Sequence, residues 1–118
     1  NNDILVVKGY NDIFSCLLIN EFKENDVLKI TRECRLSNDY NRFFDFVGCI
    51  GDKINFVIEI DDIGHKSKSI IENDNFKNSL CLKHGFVIKR ITVYHFSEIN
   101  IKWSELKEYI HKLLRDNT

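Results

Sequence analysis

Residues 56–62 read Phe-Val-Ile-Glu-Ile-Asp-Asp, an apolar run that turns abruptly into carboxylates. Such a run predicts a strand inside a sheet, where an ionised side chain is costly to bury. Glu59 and Asp61 stand two positions apart, so we expect both to point to one face of the sheet. Two carboxylates projecting together from the end of a buried strand indicate a site for a hard divalent cation. The other face is expected to carry Ile54, Phe56, Ile58 and Ile60.

The segments on either side of this strand predict an alternation of strands and helices. Gly51-Asp52-Lys53 is a short hairpin connection, and Gly85 is the expected C-cap of a helix. Asn11 and Ser104 are the predicted N-caps of two further segments whose apolar residues recur at helical spacing. The predicted elements are a helix over 11–24, strands over 27–35, 42–50 and 54–61, a helix over 69–84, a strand over 86–94, and a helix from Ser104.

The order α-β-β-β-α-β-α predicts an α/β domain built on a mixed four-stranded sheet. The first three strands can form an antiparallel meander, because short turns connect them. The helix over 69–84 is then a crossover that brings the fourth strand in parallel to a neighbour. Helices on the faces of the sheet complete the expected layers.

The composition is that of an ordinary globular protein, with 118 residues, 43% apolar and 30% charged, and a formal net charge of −1. This length predicts a single domain over residues 1–118. The near-neutral charge excludes a global basic field, so nucleic-acid contact would need a local patch or a second domain. No transmembrane-length stretch or signal-peptide pattern is present, so we expect no membrane contact. The absence of Met indicates an excised piece of a longer polypeptide.

The four cysteines do not follow the spacing of a metal or disulfide framework. We therefore expect reduced, mostly buried thiols and an intracellular location, in the cytoplasm or the nucleus or nucleoid. They are Cys16, Cys34, Cys49 and Cys81.

An isolated acid, Asp45, lies among large apolar residues of the second predicted strand. Counting back from the hairpin turn places Asp45 near Glu59 across the antiparallel pair, so that Asp45, Glu59 and Asp61 could converge at one end of the sheet. Repulsion among these carboxylates would raise at least one pKa unless a cation neutralised them, as Mg²⁺ would. In the alternative interpretation, Asp61 and Asp62 only cap the strand and Glu59 points to solvent from an edge.

The helix over 69–84 carries two charged residues in the middle of its apolar face. Asp74 and Lys77 fall on one line with Ile70 and Cys81, and apolar side chains flank that line. One interpretation is that this face looks into an active site, where Lys77 meets phosphate or the attacking water and Asp74 orients it. The alternative is a simple ion pair between residues three apart on a helix rotated from this estimate.

A small basic group follows the acidic strand. His65 stands four residues after Asp61, where it could act as a general acid or base or contact phosphate, although a loop histidine is more often simply solvated. Lys66 and Lys68 could form a phosphate-facing patch beside it, which Lys89 and Arg90 could extend. Arg90 alternates with apolar residues and could instead pair with a carboxylate.

Taken together, these residues resemble the PD-(D/E)XK nuclease superfamily, most closely its very-short-patch-repair-like branch and related endonuclease-like domains. The resemblance covers roughly residues 10–94, and the predicted element order is similar to the superfamily core. It implies a restriction-endonuclease-like αβββαβ core with an added C-terminal helix. The motifs that carry it are Asp45, Glu59-Ile60-Asp61-Asp62, His65, Asn73-Asp74-Asn75-Phe76-Lys77-Asn78, Leu80, Gly85 and Arg90.

The resemblance implies a role for each matching residue. Asp45, Glu59 and Asp61 would be metal ligands for Mg²⁺ or Mn²⁺, and His65 would assist the water or the leaving group. Asp74 and Lys77 would complete the site. The first helix of such domains often supplies another acid. Its best match is Asp12, with Glu21 as the fallback, although the helix dipole alone also favours an acid at position 12.

Two departures from the superfamily pattern affect the site. The lysine that usually follows the second acid by two positions is Asp61 here, which leaves its role to Lys77 or Lys66. The arginine expected before the helix Asp is Asn73, so a phosphate or structural contact is lost.

These inferences predict a metal-dependent endonuclease that hydrolyses phosphodiester bonds in DNA, with RNA not excluded. Targeting is expected from an additional domain or partner protein, and a homodimer stays open. The alternatives are a catalytically inactive module of the same fold that binds nucleic acid or protein, and an unrelated α/β domain whose acids are structural. The last of these predicts that Asp45 and Glu59 lie far apart.

Overall fold

The structure, a computed structural model, describes residues 9–35, 43–62 and 68–117. Its elements follow the predicted order α-β-β-β-α-β-α. A short 3₁₀ turn at Phe96–Glu98 leads into the last helix. The helices and strands are α1 (Tyr10–Phe22), β1 (Leu28–Cys34), β2 (Phe44–Ile50), β3 (Lys53–Asp62), α2 (Lys68–His84), β4 (Val87–Val93) and α3 (Ile99–Asp116).

The strands form one mixed sheet in the order β1-β2-β3-β4. β1 pairs with β2 and β2 with β3 in antiparallel fashion, as short connections allow. β4 returns after α2 and pairs with β3 in parallel. The predicted meander, crossover and mixed four-stranded sheet are therefore confirmed.

One face of the sheet packs against α1 and α3. Phe56 and Ile58 of β3 are fully buried there, together with Phe14 of α1 and Leu106 and Ile110 of α3. Burying a side chain of this size stabilises the fold by about 1.5–3 kcal/mol. The alternation of β3 thus gives one wholly apolar face, and the larger core of the domain lies on it.

The opposite face of the sheet packs against α2 in a smaller cluster that contains Leu80 and Cys81. Lys77 is buried on this face, as the sequence predicts, with a relative exposure of 9%. Of the three apolar residues expected to flank it, Leu80 is buried, whereas Ile71 is 46% and Phe76 42% exposed. The charged residue of α2, and not its flanking aromatic, therefore faces the sheet.

A bulge in the β2–β3 pair changes the facing of one residue. Gly48 pairs with Phe56 and Cys49 with Ile54, so the register shifts between Gly48 and Cys49. The extra residue, Asn55, reverses the alternation. Ile54 consequently packs against the α2-side cluster and not with Phe56, so its predicted facing is wrong.

The predicted ends of the helices are partly corrected. α1 begins at Tyr10 after Gly9, so Asn11 is not its N-cap. α3 begins at Ile99, five residues before Ser104, because the Glu98 carboxylate accepts backbone N–H bonds from Tyr94 at 2.6 Å and His95 at 2.8 Å. Those bonds satisfy the backbone N–H groups of Tyr94 and His95 just before the helix, whereas the sequence predicts Ser104 as the N-cap.

The predicted end of α2 at Gly85 is confirmed. Gly85 adopts φ 75°, a left-handed conformation that glycine adopts without strain. Its N–H donates to the Leu82 carbonyl at 3.2 Å, and the Phe86 N–H donates to the Cys81 carbonyl at 2.9 Å. This bond pattern is the Schellman motif, and it turns the chain directly into β4.

The cysteines are free, but they are less buried than expected. Cys81 is buried, Cys34 and Cys49 are half-buried, and Cys16 on α1 is exposed. The expectation of mostly buried thiols is therefore wrong. Across residues 9–35, 43–62 and 68–117, no helix combines the length and apolarity that a membrane crossing requires.

Replacing Gly48 with alanine is expected to destabilise the domain. The added methyl group would overlap the ring of Phe56, which lies directly over the Gly48 Cα and is itself fully buried. Overpacking of this kind costs about 1–3 kcal/mol. Urea unfolding of Gly48→Ala should give that loss, whereas Gly9→Ala, which meets no described atom within 4 Å, should lose only about 0.5 kcal/mol. Equal losses in both variants would contradict the close Gly48–Phe56 approach.

Candidate functional site

Asp45 marks the point where β2 separates from β3. The backbone pairing of the two strands ends at Phe46 and Ile58, and beyond it the Asp45 side chain bonds to β3 in place of the backbone. Asp45 Oδ2 accepts the Ile60 backbone N–H at 2.7 Å, and Asp45 Oδ1 accepts a hydrogen bond from Asn11 Nδ2 at 3.0 Å. The carboxylate is thus fixed between the start of α1 and the end of β3.

Glu59 points from β3 toward α2 and forms a buried pair with Lys77. Lys77 Nζ donates to Glu59 Oε1 at 2.6 Å, and the two residues are only 9% and 5% exposed. The ring centroid of Phe44 lies 5.1 Å from Lys77 Nζ, in reach of a cation–π contact. Lys77 is therefore held between an acid and an aromatic face.

Asp45 and Glu59, hereafter the acid pair, interact directly. Burial is the main reason that the pKa of Glu59 rises to about 7, and a hydrogen bond with Asp45 raises it further. The Lys77 ammonium opposes this rise, and the negative charge of Asp45 adds to it. Burial beside a second acid therefore favours the protonated form of Glu59.

Asp61 lies on the same side of the sheet but has a different partner. Arg90 Nη1 lies 3.6 Å from Asp61 Oδ2 and 3.6 Å from Asp74 Oδ1. Arg90 Nη2 also donates to Asn78 Oδ1 at 2.9 Å. The expected alternative for Arg90, pairing with a carboxylate, is confirmed.

The structure thus brings the predicted acids together in part. Asp45 lies against Glu59, whereas Asp61 is held by Arg90. Across the described ranges 9–35, 43–62 and 68–117, no three Asp, Glu, His or Cys side chains form a group that could hold a metal ion. The acid pair supplies carboxylate oxygens, the donor type that Mg²⁺ and Mn²⁺ prefer.

The remaining predicted residues lie elsewhere. Asp12 forms an ion pair with Arg32 of β1, and the fallback acid Glu21 lies 2.8 Å from Nε2 of His111 on α3. The structure therefore does not bring either acid to the acid pair. His65 and Lys66 lie outside the described residues, as does the side chain of Lys68, whose backbone begins α2.

Three residues of the site were not singled out by the sequence analysis as contacts. Asn11 was taken as an N-cap, and only the tertiary packing of α1 reveals its bond to Asp45. Phe44 was one of several apolar residues around Asp45, with no signal for its contact with Lys77. Asn78 could have been found, because it lies four residues after Asp74 and so shares its helix face.

Fold and site together define an α/β domain with a buried acid–lysine cluster where β2 and β3 separate. The chain belongs to a protein family described as a protein of unknown function (DUF2726), whose model matches residues 19–113. No curated protein and no solved structure matches the chain significantly.

The raised pKa of Glu59 predicts that the metal-free domain loses stability as pH rises. Between the ordinary value of 4.5 and the folded value of about 7, the folded state keeps a proton that the unfolded state releases. The free energy of unfolding should fall across this window, by at most about 3 kcal/mol. Glu59→Gln, which cannot ionise, should lack this part of the decline.

Urea unfolding in the presence of a chelator at about pH 5 and about pH 8 measures both proteins. Groups remote from Glu59 contribute equally to the two proteins, so the difference reports Glu59 together with its partners Asp45 and Lys77. Glu108→Gln is the matched control, because the Glu108 side chain is 73% exposed. Parallel pH profiles for wild type and Glu59→Gln would argue against a protonated, buried Glu59.

Proposed function

We propose that this domain is a Mg²⁺- or Mn²⁺-dependent endonuclease with a restriction-endonuclease-like core, and that it hydrolyses phosphodiester bonds in DNA. RNA remains a second substrate to be tested. The observation that carries the proposal is the acid pair, with Lys77 bonded to Glu59 at 2.6 Å. Two strands and a helix supply these groups to one point, in the element order that the PD-(D/E)XK resemblance implies.

The acid pair would hold the metal ion, and Asp61 would be a further ligand only after leaving Arg90. A bound Mg²⁺ or Mn²⁺ supplies a Lewis acid that activates water and neutralises charge on the phosphate. Because the pKa of Glu59 lies near 7, its proton can leave at neutral pH when a cation arrives. The site is thus poised between a protonated form and a metal-binding form.

Lys77 has the geometry of a group that serves both the acid pair and the substrate. An ammonium carries three N–H donors, so Lys77 can hold Glu59 and still donate to a water or a phosphate oxygen. Its position over Phe44 keeps the ammonium at the site when Glu59 is occupied. We therefore assign to Lys77 the stabilisation of negative charge that develops on the reacting phosphate.

Targeting would come from another domain or a partner protein, because the chain has a net charge of only −1. Predicted substrate contacts in the basic group are Lys66 and Lys68, with His65 as a general acid or base. A homodimer would be one way to cut both strands.

The second candidate function is a catalytically inactive module of the same fold that binds nucleic acid or protein. Two observations favour it. Arg90 forms an ion pair with Asp61, which would otherwise be a metal ligand, and Asn73 stands where the superfamily pattern has an arginine. A module of this kind would bind without cutting, and its acids would serve folding alone.

The nuclease proposal predicts that metal-dependent cleavage needs the acid pair and Lys77. The purified domain should cut duplex DNA, single-stranded DNA or RNA in the presence of Mg²⁺ or Mn²⁺. It should show no cleavage in the presence of a chelator. Asp45→Asn and Glu59→Gln should lose roughly 1,000-fold in rate, because they remove metal ligands. Lys77→Met should lose about 100-fold through weaker stabilisation of charge in the transition state. Glu72→Gln, which alters an exposed acid of α2, should cut like the wild type.

Calorimetric titration of Mn²⁺ separates the two candidate functions where cleavage is absent. Binding in the wild type that disappears in the Asp45→Asn/Glu59→Gln double variant would support a metal site across β2 and β3. Nucleic-acid binding with neither Mn²⁺ binding nor cleavage would favour the inactive module. Cleavage that persists unchanged in the double variant would refute the assignment of the acid pair.

A further inference from the structure

Arg90 lies next to Glu59 in the sheet, but its guanidinium contacts side chains of β3 and α2 and does not face a substrate. In the parallel β3–β4 register it is the partner of Glu59, so both side chains lie on the α2 face of the sheet. Its side chain is 25% exposed, which leaves little of it open to a substrate. The charges around it come from the protein itself.

The guanidinium is spread over two elements. Nη1 lies equally far, 3.6 Å, from carboxylate oxygens of Asp61 on β3 and Asp74 on α2. Nη2 donates to Asn78 Oδ1 at 2.9 Å and approaches the Asp74 carbonyl at 3.4 Å. We call these four residues the arginine clamp. A planar guanidinium suits it, because its fixed fork of donors can hold several acceptors at once.

The arginine clamp holds the one turn of α2 that carries Lys77. Asp74 lies three residues before Lys77 and Asn78 one residue after it, so both ends of this turn are attached to β4. The same turn must place Lys77 Nζ 2.6 Å from Glu59 Oε1. A rotation of α2 that moved Asp74 and Asn78 away from Arg90 would also move Lys77.

We propose that Arg90 is a positioning residue, which fixes the rotation of α2 so that Lys77 reaches Glu59 and which holds Asp61 near the end of β3. The inference rests on the proposed function only in the test that measures cleavage. The accessibility of Lys77 can be measured whether or not the domain cuts nucleic acid. It also reassigns Arg90 from the phosphate-facing patch predicted from the sequence to an internal role.

The first test measures the accessibility of Lys77 by lysine acetylation and mass spectrometry in the metal-free protein. Arg90→Gln should raise the acetylation rate of Lys77 about tenfold, the ratio expected from losing one charge-assisted hydrogen bond. The exposed Lys83 on the same helix is the internal reference. Lys89→Gln is the matched variant, because it removes a neighbouring charge whose ammonium lies 5.2 Å from the Tyr109 ring on the other face.

A second variant guards against misfolding of Arg90→Gln. Asn78→Ala removes only the 2.9 Å bond and should raise Lys77 acetylation about threefold with the domain folded by circular dichroism. Arg90→Lys should restore little, because one ammonium cannot bridge Asp61, Asp74 and Asn78 together. If Lys77 acetylation stays at the wild-type rate in folded Asn78→Ala and in every folded Arg90 variant, the positioning role is overturned.

The second test compares cleavage by single and double variants. If Arg90 acts through Lys77, Arg90→Gln lowers kcat in the wild type and has little further effect in Lys77→Met. If Arg90 instead contacts nucleic acid, Arg90→Gln raises KM, reduces the salt dependence and acts independently of Lys77→Met, which overturns the proposal. A domain that cuts nothing but shows the acetylation change would lose the proposed nuclease function and keep the arginine clamp.

Discussion

A carboxylate fixed inside a sheet and next to a second carboxylate is the constraint on which this fold depends. Glu59 is 5% exposed and cannot move away from Asp45, because β3 is paired on both sides. Its ionised form requires compensation from the α2 face, and Lys77 provides it at 2.6 Å. The docking of α2 is therefore an electrostatic requirement as well as an apolar one. This explains why its apolar cluster can be the smaller of the two.

The charges around Glu59 are unequal among the described residues. Four carboxylates, from Asp45, Glu59, Asp61 and Asp74, meet two cations there, Lys77 and Arg90. A proton on Glu59 removes part of the excess negative charge, and a divalent cation would remove more of it. The two proposed forms of the site, protonated and metal-bound, are therefore two solutions to one imbalance. In the inactive-module alternative, the site adopts only the protonated form.

The sequence predicts most of the fold because its strongest signals are local. The alternation in residues 56–62, the hairpin at 51–53 and the Gly85 stop give β3, its antiparallel neighbour and the end of α2. They also place Lys77 inward and Asp45 opposite Glu59. What fails depends on tertiary detail. The bulge at Asn55 turns Ile54 to the other face, since a single inserted residue reverses the alternation between the two sides of the bulge.

The spacing of residues along the sequence could not predict which side chains contact each other within the site. Asp61 and Glu59 share a face as predicted, but whether Asp61 meets a metal or Arg90 depends on how β4 and α2 pack. The bond from Asn11 to Asp45 joins residues 34 positions apart and has no local signal. The start of α3 was missed for a different reason. The carboxylate of Glu98 satisfies backbone groups that precede it, a less common arrangement than a Ser N-cap.

The position of β4 has a consequence for the order in which the domain is assembled. Both members of the acid pair precede Lys77 on α2 and Arg90 on β4, and β4 pairs with β3 in the described sheet. A polypeptide emerges from synthesis with its N-terminal part first. An unfinished chain therefore presents the two acids without their cations, and water must solvate them until α2 and β4 are added. The burial of Glu59 depends on these last elements, so a chain truncated before α2 would keep its acids hydrated and its site unassembled.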